Sequence, residues 1–450
     1  MLKTDPNKEI IIFGTDGISV SYVKSLMASQ PEKKILCFLD ESSPCKKKEI
    51  DGVPVESAEE YWNGRRSGTG EPSGSMIHVI ANQNSRYKKL TSLGYEEDKD
   101  FSIIPELSLI RLYATSICNA ACKMCDIGLA NQKGIDRIRK SENTEISPAL
   151  VEKLLNEPYL KNNKLKFSIG MVEPLVHHRI GDIVGMIKKQ GHSVAVLTNG
   201  ILLEKKAREL VENDVDYVVV SIDGPEEVHD RIRGRSGIYR SAINGMKALK
   251  QLNPELRVVA NCAVSNLNCA VLAETAESLE REKVPMELQF QHLYFVSEKM
   301  AHRHNSLHLD RIKESVSVVS DIVSPGGVDL DVLEKQIEKL KQFQGNYIKR
   351  LRVRPDVNSS EGLARYFNEE GEKIEFYDKC FFPYSQVSIK TNGEVLFHSR
   401  CFEYVVGNLM EETIHDIFHS DAAAYFRKNL KENDYCFPAC TRCCGVMGGW

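Results

Sequence analysis

The chain has 450 residues, of which 42% are apolar and 27% charged, with a formal net charge of −4. That length exceeds one small core and points to about two or three domains, while the near-balanced charge gives no general attraction to nucleic acid or to an anionic membrane. No window approaches ~20 consecutive apolar residues, so no membrane span is expected; residues 1–9 lack the apolar run of a secretory signal, so a cytoplasmic location is the default expectation.

Residues 9–14 read as an apolar strand that runs into Gly14-Thr15-Asp16-Gly17. An amphipathic stretch over 20–28 follows, then a strand over 34–40 that ends in Asp40. A Gly/Ser/Pro-rich loop over 64–75 precedes a third apolar run at 76–81. Strand, glycine turn, helix and strand ending in an acid is the opening of a dinucleotide fold, with two of its usual three glycines present. The glycine turn, Phe38-Leu39-Asp40, Ile50-Asp51-Gly52-Val53-Pro54-Val55 and Val79-Ile80-Ala81 resemble the small N-terminal Rossmann-like domains of sugar-modifying acyltransferases. The resemblance implies a domain over 1–105 that helps to bind a nucleotide sugar. A structural domain without a ligand is the alternative.

From 106 to about 305, apolar strands at 109–115, 164–169, 193–198, 216–222, 256–264 and 285–291 alternate with helical periodicity at 148–159, 179–190, 203–213, 237–251 and 268–283. The β–α repeats predict an α/β fold with a parallel sheet curled into a full or partial barrel. Chemistry in such sheets sits at the carboxyl ends of strands. The unusual residues fall there: a cysteine triplet, Glu173-Pro174, Thr198-Asn199-Gly200 and Ser221-Ile222-Asp223-Gly224. On the sixth strand, period-2 alternation puts Glu287, Gln289 and Gln291 on one face. That row lines either a lumen or a solvent-exposed edge, and in the lumen Glu287 or a neighbour is a candidate to orient substrate or accept a proton. Residues 306–375 read as a charged, helical connecting segment. From 376 to 450, a hairpin over 386–397 turns at Thr391-Asn392-Gly393 among cysteines.

Thirteen cysteines in a reducing compartment read as metal ligands or catalytic groups rather than disulfides. Cys37, Cys45, Cys262 and Cys269 are scattered and read as incidental thiols. Cys118, Cys122 and Cys125 share one short loop, and thiolates so spaced suit three corners of a [4Fe–4S] cube. Three ligands leave one iron open, as catalytic metal sites do; zinc, the alternative, would want a fourth ligand.

The Cys-x3-Cys-x2-Cys spacing after the first strand of a β/α repeat resembles the radical S-adenosylmethionine (SAM) superfamily over about residues 106–300. The resemblance implies a partial (β/α)6 TIM-like barrel in which SAM binds the open iron. It further implies reductive cleavage to a 5′-deoxyadenosyl radical, and an external electron donor such as flavodoxin or ferredoxin. Gly170 and Glu173 match part of the family's Gly-Gly-Glu-Pro turn at the SAM amino group. Asn199 is a further cofactor-binding candidate, Ser221 and Arg233 match contacts to the SAM carboxylate or ribose, and Leu293 matches a main-chain contact to adenine. Met124 stands where an aromatic residue is usual.

Cys380, Asn392-Gly393, Cys401, Gly407-Asn408-Leu409 and Cys440-Thr441-Arg442-Cys443 resemble the SPASM/twitch extension that holds auxiliary clusters. That resemblance gives one auxiliary [4Fe–4S] cluster on Cys380, Cys401, Cys440 and Cys443, with Cys436 as substitute, in a small α+β domain; a zinc ribbon is the alternative. The leading expectation is an enzyme that abstracts hydrogen from a small molecule, sugar- or nucleotide-linked. Its rivals are a maturase of a ribosomally made peptide and a non-catalytic Fe–S redox or sensor protein.

Overall fold

The computed structural model describes residues 9–42, 45, 47–66, 75–80, 83–125, 144–312, 314–315, 325–368, 379–397, 402 and 404–443. The chain divides into two compact units. One comprises residues 1–108 with 162–164 and 381–386, and the other holds the remainder.

In the first unit, β1 (Ile10–Phe13), β2 (Ile35–Asp40), β3 (Glu49–Ile50), β4 (Val53–Ser57), β5 (Met76–Val79) and β6 (Phe101–Ile103) form a sheet of order β3-β4-β2-β1-β5-β6. All pairings are parallel except β3 with β4. β1 is buried along its whole length, as a central strand covered on both faces must be. The chain leaves β1 toward β2 on one side and reaches β5 on the other. That reversal is the switch point where such sheets bind ligands. Here Arg86 occupies it: a Cβ added to Gly14 would lie 2.2 Å from the Arg86 Nη1. The guanidinium is buried and ion-paired with Asp16 (3.2 Å) and Glu41 (3.0 Å).

The second unit is built on a sheet of order β13-β12-β11-β10-β9-β8-β7-β14-β15-β16. β7 (Leu109–Leu112), β8 (Lys166–Ile169), β9 (Ser193–Thr198), β10 (Tyr217–Ser221), β11 (Arg257–Val264), β12 (Met286–His292) and β13 (Ile348–Arg354) pair in parallel throughout. This is the partial barrel expected, enlarged by one strand. β13 lies inside the segment expected to be helical. Its sequence, Ile-Lys-Arg-Leu-Arg-Val-Arg, carries four cations that disguise a strand. The hairpin is present as β14 (Gln386–Ile389) and β15 (Glu394–Leu396), followed by β16 (Val405–Asn408), and all three continue the barrel sheet.

Alternation sorts the barrel's faces. Val218, Val220, Val258, Ala260, Cys262, Met286, Leu288 and Phe290 are buried. Gly200 sits between Val220 and Ala242 of the helix Ile238–Leu252, which identifies this face as the one under the helices. Ser221, Asn261, Glu287, Gln289 and Gln291 therefore point to the opposite, lumen face. Among the described residues no helix is long and apolar enough to cross a membrane.

Candidate functional site

The cysteine loop leaves the carboxyl end of β7 and is held by backbone. Ala121 N donates to Arg233 O (3.2 Å) and Lys123 N to Ile232 O (2.9 Å). The helix Glu226–Arg233 stops at Gly234, whose φ of +69° is a left-handed cap that glycine adopts without strain. A Cβ there would lie 2.3 Å from the Ala121 carbonyl oxygen, so only glycine lets the loop dock. Cys122, Ala120 and Ile238 are buried together, with Cys118, Met124, Cys125 and Ile201 packed against them. Met124 thus fills its place as an apolar contact.

Two donors aim at the sulfurs. Asn199 Nδ2 lies 3.7 Å from Cys118 Sγ, and Arg233 Nη1 lies 3.7 Å from Cys122 Sγ. Burial pushes the Cys118 thiol up to about 11 and raises that of Cys122, against the lowering effect of Arg233. Thiols so buried ionise only with a cation, and N–H donors at sulfur suit thiolates on a metal centre. The loop fits a three-thiolate iron–sulfur site.

Behind the loop, Arg233 Nε donates to Asp223 Oδ2 at 2.5 Å, and Asp223 Oδ1 accepts from Ala263 N at 2.9 Å. Asp223 is fully buried. Burial disfavours the Arg233 cation, but Asp223 and Cys122 outweigh it and hold its pKa above the ordinary value. His229 Nδ1 accepts from Asp223 N (2.9 Å), and burial lowers the His229 pKa to about 4. Glu173 is equally buried. It accepts from Thr198 Oγ1 (2.7 Å), Asn199 N (2.7 Å) and Leu175 N (3.1 Å), yet burial still pushes its pKa up to about 7. Met171, two residues before Glu173, adopts φ +74°, a conformation glycine takes more readily.

The sequence-derived residues distribute unevenly. Gly170 packs on Leu197, and its N donates to Leu112 O. Glu173, Asn199 and Arg233 meet the loop or its supports, and Ser221 ends β10 at the same end of the sheet. The Leu293 main chain already binds protein: its N donates to Val264 O (2.9 Å) and its carbonyl accepts from Tyr366 Oη (3.0 Å). Gln291, buried, and Gln289 lie along β12 toward its carboxyl end. Glu287 opens that strand at its amino end, where Arg257 holds it at 2.8 and 3.0 Å. Its carboxylate is therefore engaged by Arg257 at the end of the strand away from the cysteines. Asp223 and Asn199's contact with Cys118 were not legible as partners of the loop, since both depend on strand register.

A second cysteine group lies in the C-terminal part. Cys380, Cys436, Cys440 and Cys443 are buried. Burial raises the Cys440 thiol well above its ordinary value, reinforced by Cys443, Cys436 and Cys380 around it. Four buried thiols that influence one another suit the wider spacing of an iron–sulfur cluster. Arg442, fully buried, anchors the loop by donating to the carbonyls of Tyr366 (2.7 Å), Arg365 (2.8 Å) and Thr441 (2.9 Å). The expected ligand Cys401, like Cys444, lies outside the described residues. A further group, Glu145 with His177 and His178, has the spacing of a metal site. His177 is already engaged, through Nε2 with Ile146 O and Nδ1 with Arg179 N.

Comparison with known proteins gives two family matches: the Radical SAM superfamily over residues 112–266 and an iron–sulfur cluster-binding domain, SPASM, over 380–444. The chain is 24% identical over 350 residues to a tungsten-containing aldehyde ferredoxin oxidoreductase cofactor-modifying protein of Pyrococcus furiosus, covering 75% of this chain and 87% of that one. It is 26% identical over 255 residues to the Fe-coproporphyrin III synthase of Methanosarcina barkeri, a match spanning 56% of this chain and only 58% of that relative. The fold is similar to the crystal structure of Streptococcus suis SuiB bound to precursor peptide SuiA, with a TM-score of 0.50, 14% identity, and 96% and 85% of the two chains covered.

Proposed function

The chain is a radical SAM enzyme that carries a SPASM domain, and on that premise we propose that it abstracts hydrogen from a small molecule held on the lumen face of its barrel. The observation that carries the reading is the loop of Cys118, Cys122 and Cys125, with Asn199 and Arg233 aimed at two of its sulfurs. These three cysteines are the cluster ligands in this reading. When bound, the reduced [4Fe–4S] cluster supplies the electron that cleaves SAM into methionine and a 5′-deoxyadenosyl radical. Such a cluster would call for an external one-electron donor.

The chain's own residues do the rest. The Asp223–Arg233 pair places a cation beside Cys122, where it favours thiolate over thiol. Glu173 fixes Asn199 through its backbone N–H, and Asn199 in turn reaches Cys118. Ser221 stands at the end of β10 for the SAM carboxylate or ribose. Gln289 and Gln291 offer neutral hydrogen bonds to substrate along the lumen face.

Cys380, Cys436, Cys440 and Cys443 bind one auxiliary [4Fe–4S] cluster in this reading, with Cys436 in the place expected for Cys401. Held by four thiolates, such a cluster would offer no iron to substrate and would supply electron transfer, which would suit an oxidative outcome. A sugar- or nucleotide-linked substrate rested on the first unit. There, Arg86 with its two carboxylates fills the turn that a pyrophosphate would approach. We therefore assign that unit a structural role.

Peptide maturation is the second reading. Similarity to the subtilosin biosynthesis protein AlbA of Bacillus subtilis, 29% over 133 residues, favours it, but that match covers only 27% of the chain. The two readings separate when the reduced enzyme and SAM are incubated with a peptide-free small-molecule fraction and with a peptide fraction of the same cells. Stimulated 5′-deoxyadenosine formation by the first alone is expected; stimulation by the peptides alone would replace this reading with the second.

A further inference from the structure

The charged strand β13 completes a polar row across the barrel. Its register sets Arg352 beside Gln289 and Arg354 beside Gln291. On the other side of β12, Gln289 lies beside Asn261, and Asn261 beside Ser221. Neighbours in register share a face of the sheet, so Ser221, Asn261, Gln289 and Arg352 form one rung on the lumen face. Val220, Ala260 and Leu288, which alternate with them, are the residues buried on the helix side.

Two atoms of this rung are buried without a hydrogen-bond partner: Oδ1 of Asn261 and Nε of Arg352. Buried polar atoms are nearly always paired, so an orphaned donor and an orphaned acceptor on one rung mark a place that a ligand completes. Glu287, the carboxylate on the next rung, is held at both oxygens by Arg257. Burial first, then Arg350 and Arg354, hold the Arg352 pKa below its ordinary value, with Glu287 opposing them. The local field is positive.

We propose that Arg352, with Gln289 beside it and Asn261 one strand further along the rung, is the subsite for an oxyanion group of the substrate, a carboxylate or a phosphate. A guanidinium presents a planar fork of N–H donors that matches either group, while the orphaned Asn261 Oδ1, an acceptor, calls for a donor elsewhere on the substrate, such as a hydroxyl or amine. Three strand spacings, roughly 14 Å, separate Arg352 from Ser221. A substrate anchored at Arg352 therefore extends across the lumen toward the strand end that Ser221 shares with the cysteine loop. The proposal rests on the reading of this face as the substrate site of a radical SAM enzyme.

Calorimetric titration of the anaerobically reconstituted full chain with inorganic pyrophosphate, and separately with tricarballylate, tests it. At least one should bind, and the tighter probe identifies the phosphate or the carboxylate source. Loss of a charge-assisted contact in Arg352→Gln should weaken that binding by about tenfold or more, with Arg352→Lys between. Arg350→Ala, one rung toward the amino end, should change it by less than about twofold. Melting temperature and iron content establish that each variant is folded; if Arg352→Gln fails this check, Gln289→Ala takes its place with a loss expected in the same direction. Binding of neither probe, equal binding by the variant used, or an equal loss in Arg350→Ala overturns the subsite. SAM cleavage by the wild type under dithionite is read in parallel. Cleavage without anion binding overturns the subsite alone, and anion binding without cleavage overturns the radical reading alone.

Discussion

Arg233 lies against Cys122: its Nη1 is 3.7 Å from the sulfur while its Nε is fixed on Asp223 at 2.5 Å. A largely buried cation is thereby aimed at Cys122 by a fully buried carboxylate. Arg233→Gln removes the charge and should lower 5′-deoxyadenosine formation by about tenfold or more, in line with a charge-assisted hydrogen bond. Asp223→Asn, which keeps the shape, should cost less. Redox titration of the reduced cluster by electron paramagnetic resonance checks the cause: Arg233→Gln, which removes a cation, should shift the potential downward, and Asp223→Asn, which removes the carboxylate that opposes the Cys122 thiolate, should shift it upward.

The missing side chain of Gly234 leaves room for the Ala121 carbonyl of the cysteine loop. Gly234→Ala would put a methyl group 2.3 Å from the Ala121 oxygen at a φ of +69°. The strain alone is of order 1–3 kcal/mol. Because the clash falls on the loop rather than on the core, the variant should fold yet bind about half the iron of the wild type. Iron per chain beside a thermal melt decides this.

The C-terminal thiols give a third expectation. Cys436→Ser should lower iron from about eight to about four atoms per chain, the content of one remaining cube. Cys401→Ser should leave it near eight. Stoichiometric zinc in the wild type would assign the site to a zinc ribbon instead.

Glu157 gives a pH dependence away from both cysteine groups. Its Oε2 accepts from Ile414 N at 2.9 Å, but burial raises its pKa to about 7 from an ordinary 4.5. An acid whose folded pKa is raised binds protons more tightly when folded, so its contribution is full below the unfolded value and lost as pH rises through the folded one. Between about pH 4.5 and 7 the wild type should therefore lose about 1–3 kcal/mol relative to Glu157→Gln. Urea unfolding of both proteins across that range measures the difference; parallel curves would contradict it.

The strands from Leu109 to His292 were legible because each pairs an apolar run with a helical period, and the cysteine loop because its spacing is local. β13 was not. Lys349, Arg350, Arg352 and Arg354 look like a solvated helix face until the register places three of them beside Glu287, Gln289 and Gln291. Alternation gave the face of Glu287 but not its partner Arg257, 30 residues away on β11. Asp16 and Glu41 likewise meet Arg86 only through tertiary packing, so the filled glycine turn could not be read from Gly14 and Gly17. The choice of Cys436 depended on the fold bringing it to Cys440.

One assay bears on all of this most directly: anaerobically reconstituted protein, reduced with dithionite, mixed with SAM and followed for 5′-deoxyadenosine. The wild type should form it, and a chain with Cys118, Cys122 and Cys125 changed to alanine should form none. A wild type with a full complement of iron that makes no more 5′-deoxyadenosine than the triple variant would contradict the account.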